Sequence, residues 1–228
     1  MNKNQRIKDH YNFSGEHKIK RPTKGSSWNA SRYRQLKKLI KFHYSVVQDD
    51  VCPYCREEIR YGGYGEPIEH IYPKFNEPRW MFEPRNLCLS CYGCNSKKHN
   101  KITTINNYVK GKNYPSDGQD FRIIHPHLDI YSNHIDSNDI FFKPKANSHK
   151  GLETIRICQL NRLDLLMKRA KRNSRSRKAM IDFNIDQLCS SYSTTEERKQ
   201  AANFIEDLLK RAEHLKKIKK SKAKGSII

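Results

Sequence analysis

The sequence predicts an α+β protein in which a small strand–strand–helix core, pinned by zinc, is flanked by an N-terminal helix and a mostly helical C-terminal region. Three observations carry this expectation. Two Cys-x-x-Cys pairs, Cys52/Cys55 and Cys91/Cys94, bracket a segment rich in Gly, Pro and Asn with little aliphatic core of its own. Each pair has the spacing that sets two thiolates on one tetrahedral zinc, and four thiolates leave that ion no open position, so the site reads as structural. A segment of this composition cannot offset its chain entropy by apolar burial, and a metal crosslink supplies what is missing. Apolar residues recur at helical spacing on both sides of it.

Three regions follow, 1–49, 50–112 and 113–228. Residues 1 to about 27 are polar and basic and read as an arm. From Trp28 to about Val47 the pattern predicts one amphipathic helix, with Tyr33, Leu36, Ile40 and His43 or Tyr44 turned to a core. In the central region Tyr61 to Pro67 forms a turn, EPIEHIY a short strand and Asn86 to Cys91 a second strand. Residues 94–109 then have helical spacing, with Ile102, Ile105 and Val109 on one face. Residues 113–150 are loop-rich, with an apolar run at Ile140 to Phe142. A helix through Thr154 to Arg172 carries Leu160, Leu163, Leu166 and Met167 inward. The last helix starts at a capping box, Ser193 with Glu196, and its stripe is Ala201, Ile205, Leu208, Leu209, Ala212 and Leu215. The basic tail reads as solvated.

Lys and Arg number 45 against 24 Asp and Glu, for a net charge of +21. The resulting pI near 9.7 makes nucleic acid the natural partner, against the blander reading of a solvated basic protein. Hydrophobic residues are 36% of the chain and mean hydropathy is −0.94, which points to solvated helices or tails. Seven cysteines, mostly between Cys52 and Cys94, do not resemble a secreted disulfide framework. With no apolar leader at the N-terminus and no run of membrane-spanning length, a cytoplasmic protein without a membrane partner is expected. Cys88 overlaps the second pair, but alternates with Leu87 and Leu89 and so belongs to the strand. Cys158 and Cys189 lie on apolar helical stretches and read as core.

The chemistry centres on Glu69-His70. Cleaving a phosphodiester needs an activated water, neutralised charge at phosphorus and a stabilised leaving oxygen. A neutral histidine suits the first task, and a divalent cation on hard ligands the others. Adjacent residues on a strand point to opposite faces, so the strand must end or kink here, as Pro73 suggests. Asn95 and His99, four apart on the expected helix, share a face and can close a metal site with Glu69.

CPYC, IEHIYPK and NLCLSCYGCNSKK, between Cys52 and His99, resemble the first cysteine pair, the acidic-His motif and the Asn-to-CxxCN segment of the HNH, or ββα-metal, nucleases. The resemblance implies His70 as general base, Glu69 as a ligand of a catalytic Mg²⁺ or Mn²⁺, and Asn86 as the residue that holds the loop and orients the histidine. Asn95 stands where the final His is usual, and His99 matches a further metal-side His. Glu69 replaces the usual Asp and is one methylene longer. HPHLDIYSNHI and the following Thr154, Ile155, Leu160, Asn161, Arg162 and Leu165 are similar to HNH nucleases of antiphage systems such as the Septu nuclease subunit. That similarity implies an ATPase partner.

Two rival functions remain open: a non-catalytic zinc-dependent nucleic-acid-binding protein, and a homing or restriction nuclease. His125, His127, Asp129 and His134 read as hydrogen-bonded loop residues in preference to a second metal site. Arg162 and Asn161 read as organising the helix start or the nuclease core. Lys74, Lys97 and Lys98 flank the site, either to contact phosphate or as solvated lysines.

Overall fold

The computed structural model describes residues 6–13, 22–59, 66–105, 113–138, 140–172, 176–189, 193–206 and 210. The expected first helix is broken near its start. Ala30, with φ −60° and ψ 135°, separates a first 3₁₀ turn, Gly25–Asn29, from a second, Ser31–Tyr33, which runs directly into helix α1, Arg34–Val47. Leu36, Ile40 and Tyr44 are its buried stripe, as the periodicity predicts; Tyr44 rather than His43 takes the last inward position. Gln48, just past the helix, is buried and works as an extra strand edge. Its amide accepts from Leu89 N at 2.8 Å and donates to Leu89 O at 2.9 Å.

The two expected strands form, shortened to β1, Ile68–His70, and β2, Leu87–Leu89. They pair antiparallel in the register Ile68↔Leu89, Glu69↔Cys88 and His70↔Leu87, and α1 packs on them. Helix α2, Tyr92–Lys98, follows. The sequence predicts helix to residue 109, but it stops at His99, whose φ of 46° and ψ of −134° leave the helical basin. Beyond it Ile105 is exposed and Thr104 bridges to Phe121, so Ile102 and Ile105 form no helical stripe; Val109 lies outside the described residues. The strand–strand–helix order holds over a shorter helix.

The loop-rich region holds two-residue strands β3, Ile135–Asp136, and β4, Lys143–Pro144, paired antiparallel. Ile140 and Phe142 are buried. Helix α3, His149–Cys158, starts at Ser148, whose Oγ accepts from Gly151 N at 3.0 Å, and packs on α2 and β4. A Cβ on Gly151 would sit 2.0 Å from the His134 carbonyl oxygen, so only glycine fits that crossing.

The chain divides into two compact units, Met1–Leu160 and Asn161–Ile228. The predicted Thr154–Arg172 helix breaks at this boundary: Gln159 is left-handed, with φ 47° and ψ 56°. Helix α4, Leu163–Arg172, then packs on α5, Ser176–Cys189, of which the sequence marks only the apolar stretch at Cys189. On α4 the buried residues are Leu165, Leu166 and Ala170, while Leu163 and Met167 are half-buried. Cys158 is buried as expected, but Cys189 is exposed on a helix end and is not core. Helix α6 covers 195–206. Its capping box is displaced by one residue from expectation. Thr194 Oγ1 accepts from Glu197 N at 3.2 Å and the Glu197 carboxylate accepts from Thr194 N at 2.8 Å, leaving Ser193 to donate to Gln187. Ala201 and Phe204 are buried and Ile205 half-buried; Leu208, Leu209, Ala212 and Leu215 lie outside the described residues, as do 1–5 and 14–21 of the arm and the whole basic tail. No helix among the described residues is long and apolar enough to cross a membrane.

Candidate metal centre and candidate active site

Cys52, Cys55, Cys91 and Cys94 converge, with all four Sγ atoms within 4.8 Å of one another. Cys55 Sγ and Cys91 Sγ are 3.7 Å apart, close to the ~3.8 Å edge of a tetrahedron with Zn–S bonds of about 2.3 Å. The first pair sits on a tight turn: Cys52 N donates to Glu57 O, Arg56 N to Cys52 O, and Arg56 takes a φ of 58°. The second pair opens α2, where Cys91 Sγ accepts from Cys94 N at 3.4 Å as the helix N-cap. The thiols compete for one negative charge. Hydrogen bonds from Cys52, Cys55 and Cys94 pull Cys91 down, while burial pushes Cys52 up. A Zn²⁺ ion removes that conflict, because a coordinating thiol deprotonates outright. The cluster can hold a structural zinc. Cys88, fully buried on β2, is not part of it.

On the same strand–strand–helix element lies an open cleft of about 490 Å³. Glu69, His70, Lys74, Asn95 and His99 all border it. β1 ends at His70, which lets two sequence neighbours face one cleft. Asn86, fully buried, fixes the turn beyond. Its Oδ1 accepts from Tyr72 N at 2.7 Å, and its Nδ2 donates to Tyr72 O at 3.1 Å and Trp80 O at 3.0 Å.

His70 is 5% exposed, and its Nε2 is 3.1 Å from the Met81 carbonyl oxygen. A carbonyl only accepts, so Nε2 carries the proton and Nδ1 the lone pair. The Trp28 ring meets His70 edge-on at 4.6 Å. Burial, with Lys74 and Lys98 nearby, drives the imidazole well below its ordinary pKa, so the ring is neutral.

Glu69 is buried beside Lys98, whose Nζ lies 2.6 Å from Oε1. At that distance the contact is a buried, charge-assisted ion pair. Burial raises the Glu69 carboxyl and Lys98 opposes it. The same Nζ donates to His70 O at 2.8 Å. Neither expectation for Lys98 holds: it is fully buried and paired, neither solvated nor open to phosphate. Its i, i+4 relation to Cys94 was the available signal, since it shares the buried face of α2 with a thiol. Asn95 is half-buried on α2 and His99 exposed just past it, so they share the cleft but not a helical face. Lys97 is exposed and is not among the residues that line the cleft.

The other wall is the polar side of α1. Arg34, Lys37, Lys38 and Lys41 line it at helical spacing, joined by Trp28 and Phe75. That spacing is present in the sequence, opposite the apolar stripe of the same helix.

His125 and His127 are buried and hydrogen-bonded, and among the described residues they belong to no metal cluster. His127 Nε2 meets Leu87 O at 2.7 Å and His125 Nε2 meets Tyr114 OH at 2.8 Å. Asp129 pairs with Lys150, and His134 Nδ1 meets Ser148 Oγ at 2.9 Å. Arg162 pairs with Asp164 at 3.1 Å, at the start of α4.

The fold and site thus define an α+β protein with a four-thiol centre and a separate histidine–carboxylate cleft. Its relatives are distant homologues called Septu protein PtuB. One, from Bacillus thuringiensis, is 31% identical over 135 residues, covering 58% of this chain and 44% of that protein. Another, from Bacillus mycoides (strain KBAB4), is 28% identical over 136 residues, 53% of this chain and 46% of that protein. The chain therefore spans less than half the length of these curated relatives. No protein-family model matches the chain, and no solved structure is significantly similar.

Proposed function

We propose that the cleft hydrolyses phosphodiester bonds in nucleic acid, with DNA favoured, as a metal-dependent nuclease of the HNH type. The observation that carries the reading is the state of His70: neutral, buried, and oriented by the Met81 carbonyl with its lone pair on Nδ1. Such a ring takes a proton from water as the oxygen attacks phosphorus in line. The anionic phosphate that enters the cleft raises the basicity that burial has lowered. Asn86 holds the Tyr72–Trp80 turn from which Met81 follows, and so keeps the acceptor in place. The α1 cations draw the polyanion in, with an affinity that falls with salt.

The donors fit a hard divalent cation: the Glu69 carboxylate, the Asn95 amide and the His99 imidazole border one cleft. Mg²⁺ or Mn²⁺ bound there supplies charge stabilisation at phosphorus and at the leaving 3′ oxygen. The family resemblance implies 5′-phosphate and 3′-hydroxyl ends. The zinc centre is structural in this scheme. The homology to PtuB supports a role in antiphage defence, where the resemblance implies an ATPase subunit as partner.

A second reading has one observation behind it. Lys98 already neutralises Glu69, as it would in a zinc-dependent nucleic-acid-binding protein without catalysis. Incubating the full chain with plasmid, single-stranded DNA and RNA in Mg²⁺, Mn²⁺ or EDTA separates the two. Divalent-dependent cutting supports the nuclease. Tight binding with no cutting under any ion, with or without an ATPase subunit, supports the binding protein.

A further inference from the structure

The cleft carries an aromatic surface that its hydrolytic chemistry does not use. Phe75 borders it and is 55% exposed, so its ring is open to whatever enters the cleft. The ring is nonetheless fixed. A Cβ on Gly25 would lie 2.6 Å from Phe75 Cδ1 and 2.9 Å from its Cα, so the backbone at Gly25 is pressed against one side. Lys74 Nζ sits 5.0 Å from the ring centroid. Trp28, in the same cleft, has Lys37 Nζ at 5.3 Å from its ring. Each aromatic thus comes with a cation, the pairing by which proteins hold unpaired bases over a tracked phosphate backbone.

We propose that Phe75 is a stacking platform for an unpaired base, and that the cleft selects single-stranded or locally unwound nucleic acid over closed duplex. The inference rests on reading the cleft as a nucleic-acid site, and deepens it by naming the substrate class. In a closed duplex the base faces are stacked on one another and cannot reach a ring on the cleft rim. A single strand offers a π-face at every nucleotide. The lysine ladder of α1 contacts phosphates whatever the sequence, so the platform gives strand selectivity without base identity. Gly25 holds the ring before the strand arrives.

The test uses fluorescence anisotropy on the full chain with labelled oligo-dT, the same strand with an abasic position at each site in turn, and a duplex, all with EDTA. Phe75→Ala is expected to lower the ratio of single-strand to duplex affinity about tenfold, and Phe75→Tyr to keep it. One abasic position is expected to weaken the wild type similarly and to leave Phe75→Ala no weaker than with the intact strand. Because Phe75 is largely exposed, its truncation removes little core, and an unchanged far-UV spectrum and zinc content verify the fold. An unchanged affinity ratio in Phe75→Ala, or abasic strands that bind like the intact one, overturns the platform. Cleavage measured in parallel separates the two ideas. Cutting that persists with no change in strand preference sinks the platform and keeps the nuclease. Phe75-dependent binding without cutting keeps the platform and sinks the nuclease.

Discussion

Two sites share one short helix and are built in opposite ways. Cys91 and Cys94, at the start of α2, close a thiol centre with Cys52 and Cys55. Asn95 and Lys98, one step further on, serve the cleft. The thiol centre uses soft ligands held by local turns, and its geometry is nearly finished by the spacing of each pair. The cleft gathers hard donors from β1 and the end of α2 and cations from α1, and needs Asn86 and a buried Lys98–Glu69 pair to stand up. The thiol centre can be assembled from two short segments; the cleft exists only once the unit around it has folded. In the proposed function the thiol centre fixes the fold and the cleft does the chemistry.

The largest expected effect comes from breaking the thiol centre. Structural zinc binding contributes on the order of 10 kcal/mol, comparable to the whole stability of a small domain. Cys91→Ser, or a strong chelator, is expected to abolish the cooperative unfolding of the first unit. Elemental analysis is expected to find about one zinc per chain. A zinc-free chain with an unchanged melt would contradict the division of labour.

The cleft breaks more gently. Lys98→Met leaves a buried carboxylate unpaired and is expected to cost about 3–5 kcal/mol. Adding Glu69→Gln removes the stranded charge and recovers most of the loss, so a double-mutant cycle in urea should show strong coupling. Additive losses would mean that the 2.6 Å ion pair has no energetic role.

The smallest effect is a pH dependence behind β2. Burial lowers the His127 pKa from its ordinary 6.5 to about 3, and His125 moves the same way. Both are neutral in the folded chain, and His127 Nδ1 lies 3.1 Å from His10 Nδ1. The unfolded chain binds the proton first, so stability is complete above pH 6.5 and drains as pH falls toward 3. Between pH 7 and about 5 the share of His127 is roughly 2 kcal/mol. Urea midpoints of wild type and His127→Gln should converge as the pH drops through that window; parallel curves would assign the slope to other groups.

Legibility in the sequence follows the same contrast. The cysteine pairs, the two strands and the apolar stripe of α1 are local patterns, and the sequence exposes them. Motif spacing groups Glu69, His70, Asn95 and His99, and all four border one cleft. The helix through 94–109 was not there, because His99 adopts a positive φ that no periodicity encodes. Gln159 breaks the later helix for the same reason. The burial of Lys98 is not legible in the sequence, because it depends on Glu69 and the His70 carbonyl, both distant along the chain. Trp28, Phe75 and the α1 cations meet only through tertiary packing.

The most direct measurement compares cleavage by wild type and His70→Ala, each verified as folded and zinc-loaded, in Mg²⁺ or Mn²⁺ with an ATPase subunit supplied where cutting requires one. Loss of a general base typically costs about 10²–10⁴-fold in rate. That loss, with zinc content and melt unchanged, is the predicted result. Cutting at the wild-type rate by His70→Ala would contradict it and move the catalytic base elsewhere.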